Sequence, residues 1–242
     1  MYPKFKNKHL EEALFNPGDY ISYKKYPKDF PKKYILIYQK KMLDDFIRKY
    51  KPQKIKLYSL LTIYKYKDIG LIRMTGIGSP NAVGVFEELI ALGGKTFLNL
   101  GSAGGLKSEG IFLCTKALRD EGTSYHYLPH GHFTYPSEEL TDKLGNTISK
   151  NNLTYSKGIT WTIDAPYRET KAEIEHFRKK GISTVEMEAS ALFAVAKYRK
   201  VKIASCFVVS DLLVKKWEPK FHRIELRKTL NSVLNTAIDC LK

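Results

Sequence analysis

Short apolar stretches alternate with amphipathic ones along most of this chain. Residues 69–74 and 96–100 are apolar runs of strand length, and residues 81–92 between them carry apolar side chains at helical spacing. The alternation continues to the C-terminus, where it predicts strands over 110–118, 158–163 and 202–210 and helices over 136–150, 168–180, 188–199 and 221–241. Strands that alternate with helices form parallel pairs with right-handed crossovers, so the pattern predicts a three-layer α/β fold.

The first 68 residues are less regular. Pro17-Gly18-Asp19 predicts a turn, residues 40–50 predict a helix, and residues 55–66 predict one or two strands. No Ser/Gly-rich linker, low-complexity tract or internal repeat divides the sequence. We therefore predict one domain over residues 1–242, of which residues 1–68 form a divergent, basic part.

The net charge of +16 is unevenly distributed. Residues 1–70 contain 17 Lys and Arg against 7 Asp and Glu, a balance of +10, which leaves +6 for the remaining 172 residues. A basic surface attracts phosphate groups of any kind. Because the lysines are scattered among tyrosines without a nucleic-acid-binding motif, the charge favours small anionic substrates over nucleic acid as the main partner.

The sequence predicts a cytoplasmic protein without a membrane partner. No apolar run approaches the roughly 20 residues that cross a bilayer, and the lysine-rich start is not followed by the apolar stretch of a signal peptide. Cys114, Cys206 and Cys240 are widely spaced, and two of them lie inside apolar runs. They are typical of reduced, packed thiols in a reducing compartment.

The most informative feature is a pair of acids at the start of an apolar run, where Glu186 and Glu188 precede residues 189–196. Burying an unpaired carboxylate is costly, so acids that persist among small apolar neighbours usually bind or protonate something. The structural alternative is that Glu186 caps the following helix and that Glu188 pairs with a buried arginine.

Two glycine-rich segments and a third acid follow predicted strands. Residues 75–80 and 101–105 are expected to be loops at one sheet edge, where their N–H groups can face an anion. Neither segment has the glycine spacing of a dinucleotide site or a P-loop. Asp211 follows the predicted strand 202–210 at the same edge, where an acid can protonate a leaving group. The alternative for Asp211 is a helix cap.

Three histidines, His126, His130 and His132, lie close together in the sequence. No carboxylate accompanies them at a fixed spacing, so we predict no metal site.

These motifs together resemble the hexameric nucleoside phosphorylases, a family that includes bacterial purine nucleoside phosphorylase and uridine phosphorylase. The resemblance covers residues 70–211 and, at the N-terminus, the turn at Gly18. Its motifs, in order, are Thr75-Gly76-Ile77-Gly78-Ser79-Pro80, Gly101-Ser102-Ala103-Gly104, Val185-Glu186-Met187-Glu188-Ala189 and Val209-Ser210-Asp211. The family's fold is a three-layer αβα domain with a mixed, partly barrel-like sheet.

For the sugar and the phosphate, the resemblance implies a role for each matching residue. Glu188 would hold the ribose hydroxyls, Met187 would pack on the sugar and Glu186 would support their loop. His9 would reach the ribose 5′-hydroxyl bound by a neighbouring subunit. The phosphate would be bound by Gly18, Gly76 and Ser102.

For the base, the resemblance implies that Asp211 protonates the purine N7 with help from Ser210. Arg223, about twelve residues further on, would assist that acid. Tyr167, or Pro166 beside it, would stack on the base. The Ser210-Asp211 pair matches the purine branch, whereas residues 121–127 are more similar to the uridine branch.

The sequence departs from the family at the phosphate arginines. The two matching positions hold Ser22 and Asn99, and neither residue replaces the charge or the bidentate geometry of an arginine. One alternative is compensation by Lys24, Lys25, Lys54 or Lys56. The other is a nucleosidase of the same fold, in which water replaces phosphate.

The leading hypothesis is therefore a phosphorylase that transfers the ribose of a nucleoside to inorganic phosphate, and the motifs favour a purine nucleoside. Phosphate is a co-substrate, and we expect no metal or organic cofactor. The resemblance implies a homodimer or a homohexamer. A non-catalytic nucleoside-binding or nucleic-acid-binding protein is the hypothesis from another class, and the acids Glu188 and Asp211 argue against it.

Overall fold

The computed structural model describes residues 3–26, 29–214 and 216–242. In these ranges the backbone is organised around one mixed sheet of eleven strands. The strands are β1 (Lys33–Ile37), β2 (Gln53–Tyr58), β3 (Leu61–Tyr66), β4 (Ile69–Arg73), β5 (Thr96–Gly105), β6 (Ile111–Asp120), β7 (Phe133–Thr134), β8 (Ser156–Ile163), β9 (Ile182–Glu186), β10 (Lys202–Leu213) and β11 (Trp217–Pro219).

Five of the strands close into a ring. β5 pairs with both β10 and β9, and the path from β10 through β6 and β8 returns to β9. From β5 the sheet continues through β1, β4 and β3 to the edge strand β2. Because β1 is parallel to both β4 and β5, the residues that follow these three strands emerge at one edge. The predicted mixed, partly barrel-like sheet is confirmed.

Helices cover both faces of the sheet. α3 and α6 pack against Phe97 and Phe207 on one face, and α2, α4 and α7 pack against Leu98 and Leu100 on the other. The helices are α1 (Pro17–Lys24), α2 (Lys40–Tyr50), α3 (Ser79–Ala91), α4 (Glu138–Lys150), α5 (Lys171–Lys179), α6 (Ala189–Arg199) and α7 (Ile224–Leu241). The three-layer arrangement predicted from the alternation of elements is therefore confirmed.

The second glycine-rich segment is not a loop, which corrects the prediction. Residues 101–105 continue β5 and pair with β10, and Gly104 and Gly105 pair with β9 as well. A Cβ on Gly104 would lie only 2.8 Å from Leu213 Cδ1 and 3.0 Å from Val185 Cγ1. Glycine is needed here because three strands pack closely, and not because the chain turns.

The start of α5 also differs from the prediction. The helix begins at Lys171 because Thr170 and Glu173 form a capping box, in which each side chain accepts the other's backbone N–H. Pro166–Arg168, which lie before the capping residue Thr170, form a 3-10 turn.

The three cysteines are packed inside the fold. Cys114, Cys206 and Cys240 are buried and form no disulfide. In the described part of the chain, no helix combines the length and the apolar character needed to cross a membrane.

Candidate active site

Glu186, the last residue of β9, connects the sheet to the start of α6. Its Oε2 accepts the backbone N–H of Glu188 at 2.8 Å and that of Ala189 at 2.7 Å, and its Oε1 accepts the Thr162 hydroxyl at 2.5 Å. Thr162 Oγ1 in turn accepts the N–H of Ser190 at 3.0 Å. These bonds satisfy N–H groups that a helix start leaves without partners. Glu186 therefore caps α6, as the structural alternative proposed.

Glu188 is buried, and it is held from the side of the β4–α3 loop. Its Oε1 accepts the N–H of Gly78 at 2.6 Å, and the hydroxyl of Ser79 donates to the carbonyl of Met187 at 2.8 Å. Gly78 has φ 92° and ψ 155°, a backbone region that is essentially restricted to glycine. No ion pair to an arginine is formed by Glu188 among the described residues, so that alternative is not what the structure shows.

Burial sets the electrostatics of these two acids. Burial and the neighbouring Glu188 charge raise the pKa of Glu186 to about 8, although the Thr162 hydroxyl and two N–H groups act in the opposite direction. Burial also raises the pKa of Glu188. A carboxylate in such a site gains strongly from hydroxyl groups that donate to it, because those bonds are charge-assisted. The site is thus suited to a sugar diol.

Tyr38 and Gln39, the residues that follow β1, reach the edge where β5 carries Ser102. Gln39 Nε2 donates to Ser102 Oγ at 3.0 Å. Gly18 lies elsewhere: it is in the first turn of α1, and its N–H donates to Asn16 Oδ1 at 2.8 Å. The Gly18 turn belongs to α1, which packs against α3. The residues that meet Ser102 come instead from the β1–α2 junction.

A neutral hydrogen-bond network occupies the position where the family resemblance implies an arginine. Asn99 is fully buried. Its Oδ1 accepts the Tyr38 hydroxyl at 2.9 Å, and its Nδ2 donates to Ser205 Oγ at 3.1 Å. Burial, and the charges of Glu188 and Glu186, raise the pKa of Tyr38 well above its usual value. The network therefore carries no charge at neutral pH.

The lysines considered as substitutes are not placed at this edge. Lys54 and Lys56 lie on the edge strand β2, which β3, β4 and β1 separate from β5. Lys24 ends α1, and Lys25 follows it. Ser22 also lies in α1, so it has no position beside Ser102.

Asp211 lies inside β10, where the register with β5 shifts between Val209 and Asp211. Such a bulge re-aims a side chain. Asp211 Oδ2 accepts the indole N–H of Trp217 at 2.9 Å, and Oδ1 accepts the Ser210 hydroxyl at 2.8 Å. The predicted helix-cap alternative is wrong, because Asp211 is a strand residue paired with both β5 and β11.

Arg223 does not contact Asp211 in this structure. It precedes α7, and its Nη1 lies 3.9 Å from Glu109 Oε2. Lys220 forms an ion pair with the same glutamate. The partner of Asp211 from this segment is Trp217, so an assisting role of Arg223 stays a prediction that requires a rearrangement.

Glu169 lies immediately after the 3-10 turn that was predicted to meet the base. Burial, followed by the negative charges of Asp211 and Glu173, raises the pKa of Glu169 to about 7. Pro166 and Tyr167 are in the turn itself, and the side chain of Tyr167 is fully exposed. Stacking of either residue on a base stays a prediction.

The described histidines belong to no cluster of potential metal ligands. Among residues 3–26, 29–214 and 216–242, no group of three His, Cys, Asp or Glu side chains could hold a metal ion. His9 is in a short 3-10 turn, Lys8–Leu10, that contacts the turn Ser124–His126. Its predicted role toward a neighbouring subunit stays a prediction.

The sequence pattern of the Phosphorylase superfamily matches residues 49–240. The chain belongs to this superfamily. It is 28% identical over 171 residues to purine nucleoside phosphorylase of Plasmodium falciparum, covering 67% of this chain and 69% of that enzyme. It is also 28% identical over 144 residues to guanosine phosphorylase of Halorubrum lacusprofundi, covering 58% of this chain and 60% of that enzyme, less than two thirds of its length.

Solved structures show the same fold. AMP nucleosidase from Bacteroides thetaiotaomicron superposes with a TM-score of 0.76 at 21% identity, covering 94% of this chain and 99% of that one. Purine nucleoside phosphorylase from Toxoplasma gondii gives a TM-score of 0.77 at 18% identity, covering 90% and 93%. The superfamily match begins at residue 49, so Tyr38 and Gln39 lie outside it.

Several site residues were missed from the sequence. Gly78 carried a signal, because it lies inside the quoted glycine motif. Thr162 and Glu121 carried none: Glu121 accepts the Ser190 hydroxyl at 2.8 Å, a contact that only the folded ring creates. Ser102 lies in β5 and Gly76 follows β4, the two strands that flank β1, and both residues are half-buried. Their phosphate role stays a prediction.

Proposed function

We propose that this superfamily member cleaves the N-glycosidic bond of a purine nucleoside, with inorganic phosphate as the attacking group. The observation that carries the proposal is the buried Glu188 carboxylate, which the Gly78 N–H and the Glu186 cap hold in place. A carboxylate fixed in this way is prepared to accept the 2′- and 3′-hydroxyls of a ribose. A binding protein gains little from a buried acid of raised pKa, whereas catalysis often uses one.

The reaction follows from where charge develops. Breaking the C1′–N bond leaves positive charge on the sugar and negative charge on the base, as in other glycosyl transfers. Glu188, hydrogen-bonded to the hydroxyls, stabilises the positive sugar, and Glu186 keeps it in position. A proton delivered from the Asp211 side neutralises the base as it leaves.

The attacking group would lie beside Ser102. Ser102 Oγ and the amide of Gln39 offer neutral hydrogen-bonding groups there, and Gly76 is in the neighbouring loop. The names of the Plasmodium and Halorubrum relatives support phosphate as the nucleophile and a purine as the base. The chain is also 30% identical over 154 residues to uridine phosphorylase of Treponema pallidum, and that name supports uracil as the alternative base.

Hydrolysis is the second candidate, and one observation favours it. Tyr38, Asn99 and Ser205 form a closed neutral network at the position expected to hold the phosphate arginine. A phosphate dianion bound there would lack a bidentate positive partner, whereas water needs none. We propose no metal or organic cofactor for either reaction. A cytoplasmic location and a homodimer or homohexamer, to which His9 would contribute, remain our expectations.

The test is incubation of the purified protein with inosine, guanosine, adenosine and uridine, with and without phosphate. Free base and ribose 1-phosphate are followed by chromatography. We expect release of a purine base that requires phosphate and yields ribose 1-phosphate. Release without phosphate, with free ribose as product, would establish the second candidate instead. No release from any nucleoside would contradict both.

A further inference from the structure

We propose that the groove between α2 and α7 binds a phosphate monoester of a sugar, either free or as part of a nucleotide. The groove lies in the helical layer and is lined by side chains from residues 45–50 of α2 and residues 224–235 of α7. Neither segment contributes a side chain to the candidate active site described above. The inference therefore does not depend on the proposed function.

The shape and charge of the groove suit a small anion. Its volume is about 480 Å³, which is in the range of small-molecule sites. Its charged lining is basic, with four cations, Arg48, Lys49, Arg227 and Lys228, against the single acid Asp45. Its apolar lining comes from Phe46, Tyr50, Ile224 and Leu234. A ligand that joins an anionic group to a less polar part matches both kinds of surface.

Asp45 holds two of the cations in place. Arg227 donates from Nη2 to Oδ1 at 2.8 Å and from Nε to Oδ2 at 3.1 Å, and Arg48 Nη2 donates to Oδ1 at 2.5 Å. A guanidinium carries five N–H donors, so each arginine keeps N–H groups that Asp45 does not use. One carboxylate also neutralises only one of the two positive charges. The two arginines are therefore fixed in position with a residual positive charge, which favours a phosphate.

Asn231 adds an acceptor to the wall of the groove. Its Nδ2 donates to Asp45 Oδ2 at 2.5 Å, which fixes the orientation of the amide. Its Oδ1 is buried, and no donor from the described part of the chain reaches it. A buried acceptor without a donor is costly. The phosphate dianion of a monoester has only acceptors, whereas a sugar hydroxyl can donate, so Asn231 favours a ligand that carries both groups.

Tyr50 and Asn235 hold a third cation beside an aromatic ring. The Tyr50 hydroxyl donates to Asn235 Oδ1 at 2.7 Å, and Lys49 Nζ donates to the same oxygen at 2.8 Å. Lys49 Nζ is also 5.0 Å from the centre of the Tyr50 ring. A free sugar phosphate would use the polar groups alone, and a nucleotide would add contact between its base and the apolar lining. The two sources share the phosphate and hydroxyl contacts.

Calorimetry with four probes tests the ligand class. The probes are ribose 5-phosphate, adenosine 5′-monophosphate, methyl phosphate and inorganic phosphate. We expect both sugar phosphates to bind, and we expect the two probes without sugar hydroxyls to bind several-fold more weakly. A higher affinity for adenosine 5′-monophosphate than for ribose 5-phosphate identifies a nucleotide as the ligand, and an equal or lower affinity identifies a sugar phosphate. No binding of either sugar phosphate, or equally tight binding of methyl phosphate or inorganic phosphate, would overturn the proposal.

Arg48→Gln tests the place of binding. The Arg48 side chain is 77% exposed, so the fold does not depend on it. We expect the affinity for ribose 5-phosphate to fall about 10-fold, because a charge-assisted hydrogen bond is lost. Arg178→Gln is the matched control. It also removes one positive charge that pairs with an acid three residues earlier, but it lies on α5, outside the groove. Equal losses in the two variants would overturn the proposal.

Hydrogen exchange followed by mass spectrometry locates the bound ester directly. With ribose 5-phosphate we expect protection of residues 45–50 and 224–235 in wild type and in Arg178→Gln, and less protection in Arg48→Gln. Protection confined to the segments around Ser102 and Glu188 would assign the ester to the candidate active site and overturn the proposal. Protection of the groove in a protein that cleaves no nucleoside would refute the proposed function and leave this site established.

Discussion

The two sides of the candidate site are built from different chemistry. On the ribose side, Glu186 and Glu188 are buried acids that backbone N–H groups hold in place. On the proposed nucleophile side, the Tyr38 hydroxyl donates to Asn99, and the amides of Asn99 and Gln39 donate to the hydroxyls of Ser205 and Ser102. The proposed ribose side is thus built around carboxyl groups, whereas the contacts described for Ser102 and Asn99 are made with neutral groups.

The difference shows which part of the chemistry depends on charge. A buried acid is tolerated only when its bonds are supplied by the fold. Here the β4–α3 loop, a threonine of β8 and the start of α6 supply them to Glu186 and Glu188. The neutral side uses amides and hydroxyls, which can bind either water or phosphate oxygens. In the proposed function the ribose side sets the reaction class, and experiment decides which nucleophile the neutral side binds.

The largest effect should come from Glu188→Gln. Gln keeps the shape but loses the negative charge, so the charge-assisted bonds to two hydroxyls weaken by about 1.5–3 kcal/mol each. We expect kcat/KM for the best nucleoside to fall at least about 10²-fold, measured by base release, while circular dichroism remains unchanged. Wild-type activity in the folded variant would contradict the ribose role of Glu188.

Gly78→Ala should have the next largest effect. The φ of 92° and ψ of 155° at Gly78 are unfavourable for any residue with a Cβ, at a cost of about 1–3 kcal/mol. Relaxation of that strain would move the N–H that binds Glu188. We expect lower stability in urea unfolding and weaker nucleoside binding in calorimetry. Gly84→Ala is the control, because a Cβ at Gly84 meets no atom within 4 Å.

Two tyrosines that are close in sequence, Tyr34 and Tyr38, test the hydrogen bonds of the neutral side. Tyr38→Phe removes the donor that the described residues supply to the buried Asn99 Oδ1, which should lower the free energy of unfolding by about 1–3 kcal/mol. Tyr34 is fully buried, and its hydroxyl has no hydrogen-bond partner in the described part of the chain. Tyr34→Phe should therefore be neutral or stabilising in the same urea titration. Equal destabilisation by both variants would contradict the network.

The smallest effect is a dependence of stability on pH. Glu169 and Glu186 have pKa values of about 7 and about 8 in the native state, above the usual 4.5. The native state therefore holds protons that the unfolded chain has lost, and the free energy of unfolding should fall as pH rises from about 5 through 8. Each group contributes at most about 1.4 kcal/mol per pH unit. Urea titrations at several pH values should show a shallower fall in Glu169→Gln.

Residues close together in sequence were predictable. The acids Glu186 and Glu188 precede an apolar run, and Asp211 ends another, so local pattern was enough to select them. Most helices and strands between residues 69 and 213 were predictable for the same reason, but the short strands β7 and β9 were not predicted. The strand identity of residues 101–105 was not, because glycine usually signals a turn and only the packing of three strands explains it here.

Contacts that depend on strand pairing were not predictable. Gln39 meets Ser102 because β1 pairs with β5, and Trp217 meets Asp211 because β11 pairs with β10. The turn at Gly18 has the composition of an anion-binding loop, but its N–H groups are used by the Asn16 cap. A motif match could not show that another junction, after β1, occupies the position beside Ser102.

The central claim is that Glu188 binds the ribose of a nucleoside whose N-glycosidic bond is cleaved. The most direct measurement is base release from inosine, guanosine, adenosine and uridine by wild type and by Glu188→Gln, with the sugar product identified with and without phosphate. We predict that wild type releases a purine base when phosphate is present, that the sugar product is ribose 1-phosphate, and that Glu188→Gln loses at least about 10²-fold in rate. Equal rates in the two proteins, or no base from the wild type, would contradict the claim.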